Sequence, residues 1–185
     1  MKNTTIAIFV GSLRKGSYNL KAAKAVLEML PENLTGEIIP IGDLPFFNED
    51  LEGSEPESWL QLRQKIKAAD GLLFFTPEYN RSVPAVLKNA LDVGSRPYGQ
   101  NSWAGKPAAI VSVTIGTVGA FGANHHLRQS LVFVDVPVMA QPEAYISNAG
   151  NLFNEEGKLT NESTQEFLQL FVNKFAQWVK VHTSH

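Results

Sequence analysis

Thr4-Thr5-Ile6-Ala7-Ile8-Phe9-Val10-Gly11-Ser12-Leu13-Arg14-Lys15-Gly16-Ser17-Tyr18-Asn19, followed by Leu20-Lys21-Ala22-Ala23-Lys24-Ala25-Val26-Leu27, sets the pattern for the whole chain. Ile6–Val10 reads as a buried strand, residues 11–19 as a polar loop, and Leu20 onward as a helix. A strand–loop–helix unit of this kind makes an anion site, because the first helical amides are unpaired and the helix dipole favours negative charge there. Ser12 and Ser17 add hydroxyls, Arg14 a cation and Asn19 an amide, while Gly11 and Gly16 permit tight turns. That donor set suits a phosphate monoester. The same pattern also describes an ordinary strand-to-helix turn with a polar surface.

Two other phosphate loops fit less well. A dinucleotide fingerprint, G-x-G-x-x-G, needs glycine where Leu13 stands, and leucine keeps the backbone away from a pyrophosphate. Gly11 and Gly16 have the spacing of G-x-x-x-x-G-K-[ST], but Ser17 replaces the lysine that reaches the β- and γ-phosphates. Nucleoside triphosphate hydrolysis, or transfer by a Mg²⁺-dependent phosphotransferase, is therefore disfavoured.

Outward from this unit, strands and helices alternate. Strands are expected at 37–41, 72–76, 108–114 and 136–140, with only a short extended piece at 144–146. The first helix ends near Leu30. Trp59, Leu62, Ile66 and Ala69 recur at helical spacing across 57–69. A helix over 83–92 has Ser82 as its N-cap and Pro84 in its first turn. Another spans 123–133. The last begins near residues 160–163, where Ser163-Thr164-Gln165-Glu166 has capping-box form, and its Phe167, Phe171, Phe175 and Trp178/Val179 stripe reads as core. Five such repeats imply an α/β fold with a parallel sheet covered on both faces. In strand order 2-1-3-4-5, ligands bind where the loops after strands one, three and four converge. Here those loops are 11–19, 77–82 and 114–119, and they have the most site-like compositions in the chain.

Composition narrows the function. The 185 residues suit one domain, and a formal net charge of −2 gives no footprint for a nucleic-acid partner. With no cysteine, disulfides, thiolate catalysis and Cys-ligated metals are excluded, which fits a cytoplasmic protein. The apolar run after Met1–Thr5 is too short for a signal-peptide core or membrane span. His125 and His126 are adjacent, so on a helix their rings diverge by about 100° and make a poor metal clamp. His182 and His185 sit at the terminus, where disorder is usual. Residues 42–58 read as a solvated acidic loop with an apolar anchor, or else as a loop whose Phe46 or Phe47 helps wall a site.

The combination Gly11-Ser-Leu-Arg-Lys-Gly-Ser-Tyr-Asn19, Pro77-Glu-Tyr-Asn-Arg-Ser-Val-Pro84 and Leu87-Lys-Asn-Ala-Leu-Asp92 resembles the NAD(P)H-dependent FMN reductase family. That family includes flavodoxin-like quinone, azo-dye and chromate reductases, and the resemblance runs in order to His126-Leu127-Arg128-Gln129. It implies a flavodoxin-like three-layer sandwich. It implies that Ser12, Arg14, Ser17, Asn19 and the Leu20 amide hold the FMN phosphate. Pro77, Glu78, Tyr79 and Asn80 would line the isoalloxazine, with Thr114 and the Gly116–Gly119 turn at its other edge, and Arg81 is a further cofactor-binding candidate. Arg81 stands where some relatives carry tyrosine, and Ala85 where many carry glycine.

The implied activity is ping-pong hydride transfer from NADPH or NADH, through FMN, to a quinone, azo compound, free flavin or similar small-molecule acceptor. The chemistry is the flavin's, so no side-chain acid or base and no metal is expected. Arg81 or Arg96 would meet a 2′-phosphate. The family also implies a homodimer, possibly pairing into a tetramer, with residues 94–107 as the candidate loop completing a neighbour's site and Arg128, with Glu143, as a candidate subunit contact. The alternative is an FMN-binding electron carrier serving protein partners; such carriers are strongly acidic, and this chain is not.

Overall fold

The computed structural model describes residues 4–183. In chain order the elements are β1 (Thr4–Val10), α1 (Tyr18–Glu28), β2 (Leu34–Ile38), α2 (Glu57–Ala68), β3 (Gly71–Thr76), α3 (Ala85–Gly94), β4 (Ala108–Val113), α4 (Phe121–Phe133), β5 (Ala144–Ile146) and α5 (Glu162–Thr183), with short 3₁₀ turns at Glu49–Leu51 and Ala149–Asn151. All five strands are parallel, in order β2-β1-β3-β4-β5.

Alternate residues on each strand face opposite layers, which divides the core in two. Ile6, Ile8, Leu73, Phe75, Ala109 and Val111 pack with Ala22 and Val26 of α1 and Phe171, Phe175 and Val179 of α5. Ala7, Phe9, Leu72, Phe74 and Ile110 pack with Trp59 and Ile66 of α2, Leu87 and Leu91 of α3 and Leu127 and Leu131 of α4. Strands buried on both faces account for runs such as Leu72-Leu73-Phe74-Phe75, where alternation of polar and apolar residues is absent.

Several boundaries differ from those expected. The fifth strand is Ala144–Ile146, not 136–140. Val138 makes a single bridge to Ala108, whereas Ala144, Tyr145 and Ile146 pair with Val111, Ser112 and Val113. The Pro137 carbonyl and the Met139 amide bond Ala108 on either side of that bridge, at 3.0 and 2.8 Å, and strand pairing resumes only at Ala144. The second strand is Leu34–Ile38 rather than 37–41; pairing of Thr4 with Leu34 sets its start, and Pro40 bars further donation beyond the Ile39 amide.

Helix α1 begins at Tyr18, with the Ser17 Oγ accepting from the Leu20 amide at 3.2 Å. Helix α3 has Pro84, not Ser82, at its N-cap, without a side-chain cap. Helix α5 is capped by Asn161, whose Oδ1 accepts from the Thr164 amide at 3.0 Å, so Asn161 rather than Ser163 terminates it. His182 lies on α5, its Nδ1 donating to the Trp178 carbonyl at 2.9 Å, and is not in a loose tail; His185 lies outside the described residues.

The 42–58 segment contains the 3₁₀ turn, and Glu49, Glu52 and Glu55 are compensated from elsewhere. Arg96 donates to Glu52 at 2.7 Å and Glu49 at 2.8 Å, and Arg63 to Glu55 at 3.1 Å. These partners raise the Arg96 guanidinium's proton affinity. Hydrogen bonding at its own amide, then to Arg63, holds the Glu55 carboxyl below its ordinary value. Phe47 is the anchor, against Trp59 at 5.6 Å between ring centroids.

Candidate functional site

The loops after β1, β3 and β4 meet at the carboxyl ends of their strands and are tied together there. The Gly11 amide donates to the Phe75 carbonyl at 2.8 Å, joining the first loop to the end of β3. The Asn19 Nδ2 donates to the Val113 carbonyl at 3.0 Å, joining α1 to the end of β4. Glu78 joins the second loop to α4, its Oε2 accepting from the Ala123 amide at 3.1 Å.

In the first loop Arg14 is exposed, its Nη2 donating to the Gly16 carbonyl at 2.8 Å. Ser17 caps α1, and this occupies the Leu20 amide. Ser12 is half-buried. Asn19 is 3% exposed, and its Oδ1 has no protein partner. Its Nδ2 is committed to β4, so the residue also fixes the loop's position. Helix α1 has no acid in its first turn, and a Cβ built on Gly16 meets nothing within 4 Å. The positive helix end is therefore uncompensated and its approach is open.

In the second loop Tyr79 and Ser82 exchange backbone hydrogen bonds of 3.1 and 3.0 Å around Asn80 and Arg81, at φ of 51° and 65°. Two left-handed residues in succession define a type I′ turn, which ordinarily uses glycine or asparagine. Arginine in that conformation is an outlier of the sort found at binding sites. The turn is pinned from several sides. Glu78 Oε1 accepts from Arg81 at 3.1 Å, and His126 Nδ1 lies 3.0 Å from Ser82 Oγ. A Cβ on Gly122 would stand 2.9 Å from both the Arg81 carbonyl and Glu78 Oε2, so α4 approaches as closely as glycine allows. Pro77 accepts from the Thr76 hydroxyl at 2.7 Å.

In the third loop the Thr114 Oγ1 accepts from the Gly116 amide at 3.2 Å, and residues 115–118 are exposed. Ser112 Oγ donates to the Gly119 carbonyl at 2.6 Å, and the Asn124 Nδ2 donates to Ser112 Oγ at 3.2 Å. The predicted residues are thus brought to one end of the sheet.

Gly11, Arg14 and Tyr79 also line a cavity of about 390 Å³, whose apolar walls include Leu13, Leu44, Phe46 and Val86. Phe46, 75% exposed, stands at this cavity, while Phe47 is the structural anchor, so the two readings of the acidic loop apply to adjacent residues. The sequence does not mark Leu13 as a wall; a lone leucine between Ser12 and Arg14 in a polar loop is the signal it offers. Nor does it mark the group beside the third loop, where the Tyr145 hydroxyl lies 3.0 Å from His125 Nε2. Burial, then the nearby Glu143 carboxylate, pushes the Tyr145 hydroxyl up to about 12. Arg128 donates to Asn124 at 3.0 Å and Met139 at 3.1 Å and stands 3.9 Å from Glu143, which fastens α4 to the segment before β5. Among the described residues, no group of acids and histidines is placed to hold a metal.

Residues 4–151 match the model of the NADPH-dependent FMN reductase family. A quinone reductase of Pseudomonas putida is 58% identical over 179 residues, 96% of each chain. A 2-hydroxy-1,4-benzoquinone reductase of a Burkholderia species is 43% identical, over 95% of this chain and 96% of the relative. Among solved structures, FerB, a flavoenzyme NAD(P)H:(acceptor) oxidoreductase from Paracoccus denitrificans, is 44% identical with a TM-score of 0.92, covering 97% of this chain and 98% of its own.

Proposed function

The chain belongs to the NADPH-dependent FMN reductase family and is therefore an oxidoreductase using FMN and NAD(P)H, and we propose that its acceptor is a quinone. The observation that carries the proposal is the cavity of about 390 Å³ shared by Arg14 and Tyr79. Walls formed by Leu13, Phe46 and Tyr79 suit a flat, mostly apolar ring, and Arg14 of the loop assigned to the phosphate lines the same cavity. Small-molecule sites are typically concave and apolar with a few placed polar groups. The quinone reductases of P. putida and Burkholderia are consistent with this acceptor class.

The residues present fit FMN. Arg14, the hydroxyls of Ser12 and Ser17, and the uncompensated start of α1 offer charge and hydrogen bonds to a phosphate monoester, and residues 11–27 contain no acid to oppose it. Asn19 holds that loop to β4. Glu78 and His126 hold the I′ turn of Tyr79, Asn80 and Arg81, and Pro77, Thr114 and Gly116 complete the rim. When bound, FMN supplies the group that takes hydride from the nicotinamide and passes reducing equivalents to the acceptor. The protein's part is orientation and electrostatics: amides of the second and third loops are fixed before any ligand arrives, so they stabilise negative charge without reorganising.

The proposal extends to one domain over residues 1–185, located in the cytoplasm, that forms a homodimer able to pair into a tetramer. Tyr98 and Phe133 are 89% and 90% exposed and share a cavity of about 380 Å³ with Phe47 and Arg96, an apolar surface suited to self-association. The exposed tip of the 94–107 loop is the part that could reach a neighbour, since Trp103 is buried in its own core. No helix among the described residues is long and apolar enough to cross a membrane.

The test is an absorption titration. FMN bands should shift on binding, bleach when NADPH is added anaerobically, and recover when benzoquinone follows. Bleaching without recovery would remove the quinone assignment; bound FMN that NADPH leaves unbleached would favour an electron carrier.

A further inference from the structure

Beside the site, an aromatic platform lies under the guanidinium assigned above to the FMN phosphate. The Arg14 guanidinium stands over the Tyr18 ring, 5.2 Å from its centroid. The Lys21 ammonium is over the same ring at 5.2 Å and over Phe153 at 5.9 Å. Tyr18 and Phe153 are themselves 6.0 Å apart between centroids. Phe153 is fixed by an antiparallel bridge to Leu159, and a Cβ on Gly157 would lie 3.4 Å from the Lys21 side chain. The turn at residues 153–159 therefore closes over α1 and packs on Tyr18 and Lys21.

We infer that Tyr18 is a positioning residue, which holds Arg14 ready for the FMN phosphate. The inference rests on the assignment of Arg14 to that phosphate. An exposed arginine otherwise samples many rotamers and loses that freedom when it grips an anion. Here two contacts restrict it in advance, the Gly16 carbonyl at 2.8 Å and the Tyr18 ring face. A ring face attracts a guanidinium through its quadrupole and leaves the N–H edges free to donate. Lys21, held by the same rings, keeps a second positive charge on this side of the loop. The spacing that builds the platform is local: positions 14 and 18 meet across the cap, and 18 and 21 share a helix face.

The experiment compares FMN with riboflavin, which has the same ring system without phosphate. Binding of each is followed by quenching of flavin fluorescence in the parent and in Tyr18→Leu, Tyr18→Phe and Arg14→Ala. Tyr18→Leu should weaken FMN about two- to fivefold, the value of a surface cation–π contact, and leave riboflavin unchanged. Tyr18→Phe, which keeps the ring face, should bind both flavins as the parent does. Riboflavin also reports the fold. If Tyr18→Leu weakens both flavins equally, Tyr18 merely supports the loop and the inference fails. It also fails if neither affinity changes, or if Tyr18→Phe behaves as Tyr18→Leu does. Arg14→Ala separates the two levels: if its ratio of FMN to riboflavin affinity matches the parent's, the phosphate assignment itself is wrong and the inference goes with it.

Discussion

Gly119→Ala should destabilise the protein strongly, because Gly119 meets two independent demands. Its φ is +63°, in the left-handed region, where a side chain costs about 1–2 kcal/mol. A Cβ there would lie 2.6 Å from Tyr145 Cβ and 3.0 Å from the Tyr145 carbonyl carbon. Those atoms belong to β5, whose pairing with β4 leaves little room to yield, so overpacking adds about 1–3 kcal/mol. The sum is about 2–5 kcal/mol, which in a chain this size lowers the melting temperature by about 5–15 °C. Gly16→Ala is the control, since its Cβ meets nothing within 4 Å and its φ is not positive. Both variants would be melted by circular dichroism without added flavin. A Gly119→Ala melting temperature within about 2 °C of the parent would refute the argument, as would equal losses in the two variants.

Trp103→Ala should cost about 3–5 kcal/mol in chemical denaturation, because the ring is fully buried against Phe9 at 5.2 Å and its Nε1 donates to the Leu91 carbonyl at 3.0 Å. Raising the pH should remove stability between about 10 and 12: the unfolded Tyr145 releases its proton near 10, while the folded hydroxyl holds it to about 12, so proton loss favours unfolding in that window. Tyr145→Phe should flatten that part of the stability-against-pH curve, and an unchanged slope would discount the shift. Phe46→Ala should raise KM for benzoquinone severalfold while leaving the melting temperature near the parent's, since the side chain is 75% exposed at the cavity.

Much of the site was readable because its parts are short and local. Gly11–Asn19 gathers hydroxyls, a cation and an amide, residue types whose chemistry is independent of the fold, and Pro77–Ser82 is six consecutive residues. The apolar runs of β1, β3 and β4 are long enough to be buried on both faces, so strand alternation with helices identified the layers. The fifth strand is not legible in this way, for the opposite reason. Val136–Ala140 and Ala144–Ile146 are both short and apolar, and no local pattern tells them apart; both lie along the free edge of β4, but the first touches it only at Ala108 while the second pairs with Val111, Ser112 and Val113. The same holds for Ser82, which suits an N-cap by type but is engaged with Tyr79 and His126 instead.

The sequence by itself determined the layers, the three loops that converge and the donor types gathered in the first of them, since hydrophobic periodicity and local motifs depend on neighbours along the chain. Tertiary structure alone decided which strand closes the sheet, that Asn19 is spent on Val113, that Phe46 and Phe47 divide between cavity and core, and that Phe153 reaches Tyr18. Each of those is a contact between segments far apart in the chain, and its energy depends on a geometry that no local pattern encodes.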